Sequence, residues 1–179
     1  PNSDFNPQNT SSPYFGKLFP LRKIRIYAET TLSGNPTTVD LFSGYINSFD
    51  TKFYQGTNED ATVILQCVDG FRLLSNVSTE TPPIPGATSG QLSGARVETL
   101  LDFADFPTSL MTLTPGQSQM QVDPGANRSV LAAIQTVEQS EFGAFFMGRD
   151  GKATFLDRNT ISILADNIVS EYSDTAPLP

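Results

Sequence analysis

The sequence predicts a mainly β fold with an α+β lobe: a small antiparallel β-barrel followed by two amphipathic helices and a β-hairpin. Three observations carry this. The first third alternates β-branched and aromatic runs with strong turn sequences, residues 93–139 hold two apolar stripes at helical spacing, and an Asp-Gly pair near the end is flanked by two short apolar runs.

Residues 1 to about 20 carry Pro7, Pro13 and Pro20 among Asn, Ser, Thr and Gln, which predicts an extended arm anchored by Tyr14, Phe15, Leu18 and Phe19. Three strands are predicted next, at roughly Arg22–Glu29, Val39–Phe49 and Thr62–Val68. Ser33-Gly34-Asn35-Pro36 and Gln55-Gly56-Thr57-Asn58-Glu59-Asp60 supply the turns between them. Short links imply antiparallel pairing, and closing into a barrel hides the sheet's edges. Gly44, inside the middle strand, is expected to mark a bulge or sharp bend. Phe71, Leu73 and Leu74 continue the apolar pattern beyond Asp69-Gly70 as a short helix across the barrel mouth.

Ser78 to Gly90 reads as a loop from its prolines and glycines. A helix near Ala95–Phe106 follows, with Ser93 as its cap, Val97, Leu100, Leu101 and Ala104 on one stripe, and Pro107 as its stop. A second helix, about Ser129 to Gln139, is amphipathic through Val130, Leu131, Ile134 and Val137 and ends at Gly143. Ala144–Gly148 and Ala153–Asp157 flank Arg149-Asp150-Gly151-Lys152 as a hairpin, with Asp-Gly supplying positive φ. Ile161–Tyr172 mixes β-branched and acidic residues without a clean period and fits a strand or a helix. The expected organisation is an arm over 1–20, a barrel over 21–76, an accessory lobe over 77–160, and the start of a following domain or linker over 161–179.

Composition narrows the function classes. Charged residues are only 17% of the chain, a proportion suited to a subunit whose surface is covered by neighbours. The net charge of −8 argues against phosphate recognition by counterion release. Arg22, Lys23 and Arg25 form the single basic cluster and read as the solvent side or rim of a strand. There is no histidine and only one cysteine, Cys67, within the apolar run Ile64-Leu65-Gln66-Cys67-Val68. A Ser-His-Asp triad, a Cys-His pair and the usual zinc sites therefore cannot be built from this chain. No apolar run approaches the length of a membrane span.

Carboxylate chemistry is what remains. Glu98, Asp102 and Asp105 share one helical face opposite the apolar stripe, which reads as a solvated acidic face rather than a glycosidase acid/base pair. Glu138 and Glu141 sit at a helix end, where Arg158 or Arg128 offers an ion pair. Asp123-Pro124-Gly125-Ala126-Asn127-Arg128 and Asp157-Arg158-Asn159 lack the calcium-loop pattern. No catalytic, metal or cofactor residue is assigned, and no cofactor is expected.

Several motifs occur in an order that resembles a known family. They are Leu21-Arg22-Lys23-Ile24-Arg25-Ile26-Tyr27, Leu41-Phe42-Ser43-Gly44-Tyr45-Ile46, the run from Thr62 through Asp69-Gly70 to Asn76, Ser93-Gly94-Ala95-Arg96-Val97 with Leu100-Leu101-Asp102, Glu141-Phe142-Gly143-Ala144-Phe145-Phe146, Asp150-Gly151-Lys152, and Phe155-Leu156-Asp157-Arg158. Together they resemble the N-terminal part of bacteriophage tail-tip proteins, the minor tail proteins similar to the baseplate hub of contractile-tailed phages. The resemblance implies a virion structural protein without catalysis, present as a homotrimer. Its implied partners are the distal tail or tube ring, the tape-measure protein, and a tail fibre or receptor-binding protein, with DNA passing through a lumen rather than being held. Tyr14, Phe15, Leu18, Phe19, Arg22, Lys23 and Arg25 are the expected interface residues. The alternative is a carbohydrate-binding β module of a secreted or cell-surface protein, with Tyr45, Phe49, Phe53 and Tyr54 stacking on sugars.

Overall fold

The computed structural model describes residues 4–6, 8–32, 35–52, 62–79 and 83–166, and shows an α+β chain. Strands β1 (Lys23–Leu32), β2 (Asn35–Lys52) and β3 (Thr62–Val68) form one sheet in the order β1-β2-β3, all antiparallel. Their β-branched and aromatic residues suit a pleated surface, and each overlaps an expected strand, but β2 is longer than the expected Val39–Phe49 and takes Asn35 and Pro36, expected in the turn, into its pairing with β1.

The pairing has an unusual form. β1 pairs with β2 from Asn35 to Tyr45, and β3 pairs with β2 from Tyr45 to Lys52, so only Tyr45 faces a partner in both strands. The sheet is two two-stranded ribbons joined end to end along one long strand. Pro36 is tolerated because, among the described residues, that half of β2 has β1 as its sole partner and needs no donor on its other side. The ladder is interrupted at two places. Ile26 faces Phe42 while Tyr27 faces Asp40, leaving Leu41 as an extra residue, and Ile46 faces Cys67 while Ser48 faces Gln66, leaving Asn47 extra.

Those bulges fall on either side of Gly44, which is itself in register opposite Ile24. The expectation that Gly44 marks the bulge is therefore corrected. A Cβ at Gly44 would collide with the Val68 carbonyl and the Phe42 ring, so the glycine is there for close approach.

Helix α1 (Gly70–Asn76) follows, and Asp69 caps it by accepting from the Phe71 amide at 3.1 Å. Its Leu74 is buried with the lobe that follows, and Phe71 packs against the same cluster, so the chain joins that lobe at Asp69 rather than lying across a barrel mouth. β4 (Ser78–Thr79) pairs with β6 (Arg128–Ser129), which leads into α3 (Val130–Glu141). Ser129 caps α3 by accepting from the Ala132 amide at 3.1 Å. Helix α2 (Ser93–Phe103) packs on α3, and the third sheet has the order β5-β8-β7, with β5 (Met111–Leu113) parallel and β7 (Ala144–Met147) antiparallel to β8 (Ala153–Leu156).

The expected stripes are the ones buried. Val97, Leu100 and Leu101 of α2 and Val130, Ile134 and Val137 of α3 meet Phe145 and Phe155 in one continuous core. Complete burial of a side chain such as Leu100 or Phe155 contributes about 1.5–3 kcal/mol.

Local ends differ from expectation in three respects. Ser93 is the first residue of α2 and makes no cap, Leu92 standing at that position; the helix stops at Phe103, before Pro107, with Asp105 turning left-handed at φ 52°. α3 ends with Phe142 in the left-handed conformation, φ 55°, one residue before the glycine expected to break it. In the hairpin only Gly151 of the Asp-Gly pair has positive φ, 81°, after an i to i+3 turn from Gly148. That is the type I turn with a following left-handed glycine, the standard three-residue hairpin connection. The stretch from Ile161 begins inside helix α4 (Arg158–Asp166), and residues 167–172 lie outside the described residues. No helix among the described residues is long and apolar enough to cross a membrane.

Candidate functional site

The arm is not extended. Asn6, Asn9 and Ser12 recur every third residue, and each uses its side-chain oxygen to accept from the amide two residues on, at 3.0 Å in all three cases. The carbonyl of each accepts from the amide three residues on, which produces a run of tight turns continuing to Tyr14 and Lys17. Asx and Ser turns of this kind give the backbone an alternative to extension, and the prolines do not prevent it. Asn6 and Ser12 are buried within the run, while Phe5 and Tyr14 stack at 5.2 Å on its outside.

The arm meets the sheet through Leu21, whose amide donates to the Ile46 carbonyl at 2.7 Å, and the Ile46 amide donates back to the Arg22 carbonyl at 2.9 Å. Leu21 has φ 65°, a costly conformation for a bulky residue, and is 58% exposed. Tyr14, Phe15 and Phe19 are exposed and Leu18 is half-buried; Arg22 lies over the Phe19 ring at 5.5 Å, Lys23 is exposed, and Arg25 pairs with Asp40 at 2.6 Å beside the Tyr27 ring. The hydrogen bond and charge of Asp40 raise the Arg25 pKa from its ordinary value. The seven residues expected at an interface are thus brought to one continuous region, the outside of the arm and the start of β1.

Exposed apolar side chains continue from that region onto the sheet. Ile26 and Tyr27 are successive residues of β1, so they point to opposite faces, and they are 46% and 49% exposed. Both faces of this ribbon therefore carry exposed apolar side chains, although Ser43 and Gly44 are buried and Ser43 lies against Gly151 of the hairpin. Val39, Leu41 and Ile64 are also exposed, and the sheet's sole buried large apolar side chain among the described residues is Ile46. The backbone is open too: β2 has no partner opposite β1 along its first half, nor opposite β3 beyond Ile46, among the described residues. Of the aromatic set proposed for sugars, Tyr45 and Phe49 are half-buried, and Phe53 and Tyr54 lie outside the described residues.

A second cluster was not legible as a unit. Ser93 at the start of α2, the turn Thr114–Ser118, Glu141 at the end of α3 and Asp157 before α4 converge in the lobe. Glu141 is 0% exposed, and its Oε2 accepts from Ser93 Oγ at 2.6 Å and from the amides of Ser118 and Gln117 at 2.7 and 3.1 Å. Burial pushes the Glu141 carboxyl up, but these donors outweigh it and hold it below the ordinary carboxylate range. Arg158 approaches from outside at 3.8 Å, the ion pair foreseen from sequence, whereas Glu138 instead accepts from the Phe145 amide at 2.9 Å.

Glycines make the crossing possible. A Cβ at Gly94 would strike the Thr114 carbonyl, and one at Gly116, φ 81°, would strike Ser93 Oγ. Asp157 accepts from the Thr160 amide at 2.7 Å, capping α4, and from Gln117 Nε2 at 3.4 Å. Burial raises its pKa, and those bonds more than offset the rise. Sealed from solvent and already holding three donors, Glu141 is a fastening rather than a group facing a substrate. The sequence signal was its position at a helix end unfavourable to negative charge.

Glu98, Asp102 and Asp105 are all exposed, as an acidic solvent face requires. Among the described residues no three metal-binding side chains come together. Asp123 accepts from the Gly125 amide at 2.9 Å and from Arg128 at 2.8 Å, which accounts for it as a turn residue. Comparison of the chain with family models, curated proteins and solved structures gives no match in any of the three.

Proposed function

We propose that this chain is a structural component of a phage or phage-like tail tip, a hub subunit that joins the tail tube to distal receptor-binding or wall-penetrating parts. The observation that carries the reading is the β1-β2-β3 ribbon: large apolar side chains exposed on both faces, backbone edges unpaired among the described residues, and no share in the lobe's core. A two-stranded ribbon in water is marginal on its own, so such an element gains its stability from what covers it. In this proposal neighbouring copies complete the ribbon into a closed barrel, most simply as a trimer. The tube ring, the tape-measure protein and the distal fibre are its further partners, and the virion is its location. The order of motifs from Leu21 to Arg158 supports the tail-tip assignment.

The chain has no catalytic part in this proposal. The acidic balance of −8 suits a passage that DNA traverses without adhering. The test is to measure the mass of the full-length protein by light scattering and to locate it in the particle by antibody labelling. A ring-forming oligomer at the tail tip is expected. A stable monomer with no ring in the particle overturns the proposal.

A further inference from the structure

Away from the ribbon, an open trough of about 560 Å³ runs between α3 and the strap Ser118–Pro124. The strap is held in place by its own backbone. Met120 exchanges bonds with Gln91 and Gly90, and the Asp123 amide donates to the Ala87 carbonyl at 3.1 Å. Leu100, Met120, Ala133 and Val137 give the trough an apolar floor. The hydroxyls of Thr136 and Ser140 on its helical wall are turned back to helix carbonyls at 2.9 and 2.8 Å.

The charges at the trough do not cancel. Two guanidinium groups, Arg96 and Arg128, line it with one carboxylate, Asp123. Arg96 is only 5% exposed; its Nε donates to Gln91 Oε1 at 2.7 Å, and its Nη2 to the Thr88 and Gln121 carbonyls at 2.7 and 2.8 Å. Those bonds leave Nη1 without a partner among the described residues. Arg128 uses Nη2 on Asp123, while its Nε is buried with no acceptor. Burial lowers the Arg96 pKa, with Arg128 adding repulsion and Asp123 opposing it, so the three charges act on one another. A surplus positive charge set among apolar walls, in a chain of net charge −8, is complementary to a ligand carrying one negative charge beside apolar groups.

We propose that this trough binds an extended peptide segment of a partner protein through a carboxylate flanked by apolar side chains, the carboxylate lying against Arg96 and Arg128. One surplus positive charge matches a monoanionic carboxylate better than a phosphate. The apolar floor, with its hydroxyls already occupied, leaves side-chain burial to supply the rest of the affinity. A guanidinium already fixed by three acceptors receives the ligand with little ordering cost.

The test uses the full chain and an array of nonapeptides with a central Leu-Glu-Leu, each matched by a Leu-Gln-Leu counterpart, with binders remeasured by fluorescence anisotropy. Acidic members are expected to bind at least about tenfold more tightly than their amide partners. Thr136→Glu, on the exposed wall of the trough, is expected to abolish that preference, and Thr136→Gln, of the same size without charge, to keep it. Melting curves identify any variant that has lost its fold. Equal binding of the paired peptides, equal loss in both Thr136 variants, or competition by N-acetyl-leucine at the same concentration as the peptides would overturn the proposal.

Discussion

The lobe and the ribbon both rely on backbone hydrogen bonding, but to opposite ends. In the lobe α2, α3 and β8 turn their apolar sides inward: Val97, Leu101, Val130, Ile134 and Phe155 are each sealed from solvent, and even the charged Glu141 is enclosed with its donors, whereas Ile163 and Leu164 of α4 stay exposed. In the ribbon an 18-residue strand is paired along its length, yet Ile26, Tyr27, Val39 and Leu41 remain exposed. Backbone pairing alone contributes modestly to stability because water competes for the same groups. The lobe therefore has a core of its own, and in the proposal a partner supplies the ribbon's cover. This difference is the basis of the proposed interaction surface.

The largest effect should come from the crossing of α2 under the Thr114–Ser118 turn. Gly94→Ala forces a collision with fixed backbone and is expected to cost more than about 3 kcal/mol, unfolding the lobe in a urea titration. A midpoint within error of the parent would show that the turn can move aside, and the contrast in rigidity would weaken. Glu141→Gln keeps the shape but replaces charged acceptors by an amide facing donors; a loss of about 1–3 kcal/mol is expected in the same titration. In the ribbon, Gly44→Val should cost on the order of 1–3 kcal/mol through its clash with Val68 and Phe42. An unchanged midpoint there would mean that the ribbon adjusts freely.

Acid provides a milder contrast. Glu141 and Asp157 both have folded-state pKa values below the ordinary range, so the unfolded chain takes up protons first. Their stabilisation is fully present above the unfolded carboxylate values near pH 4 and is lost as the pH falls through that range toward the folded values. Melting temperatures between about pH 6 and pH 3 should fall for the parent and fall less for Glu141→Gln. Parallel curves would remove Glu141 as a source of the acid sensitivity. At the small end, Arg25→Ala breaks an exposed ion pair and should leave the melting temperature unchanged.

Much of this contrast was readable from residues. The β-branched runs bounded by turn sequences fixed β1 and β3, and the stripes through Val97 and Leu101 and through Val130 and Ile134 identified the buried faces of α2 and α3. What failed to show was anything set by partners distant in sequence. Ser93 looks like a helix cap until Glu141 arrives, 48 residues later, to take its hydroxyl. The end-to-end pairing of β2 depends on register, which alternation alone does not define. The turns of the arm did have a local signal, the Asn6, Asn9, Ser12 spacing, but the prolines beside it argued for extension. The arginine trough required Arg96, Asp123 and Arg128 to be brought together by the strap, and no motif announces that.

Amide hydrogen exchange on the isolated chain and on the assembled particle tests the central claim most directly. The account predicts that α2, α3 and β8 are protected equally in both, whereas the amides of β1 and of Asn35–Lys52 exchange rapidly in the isolated chain and become protected on assembly. A ribbon as well protected as the lobe in the isolated chain, with no gain in the particle, would contradict it.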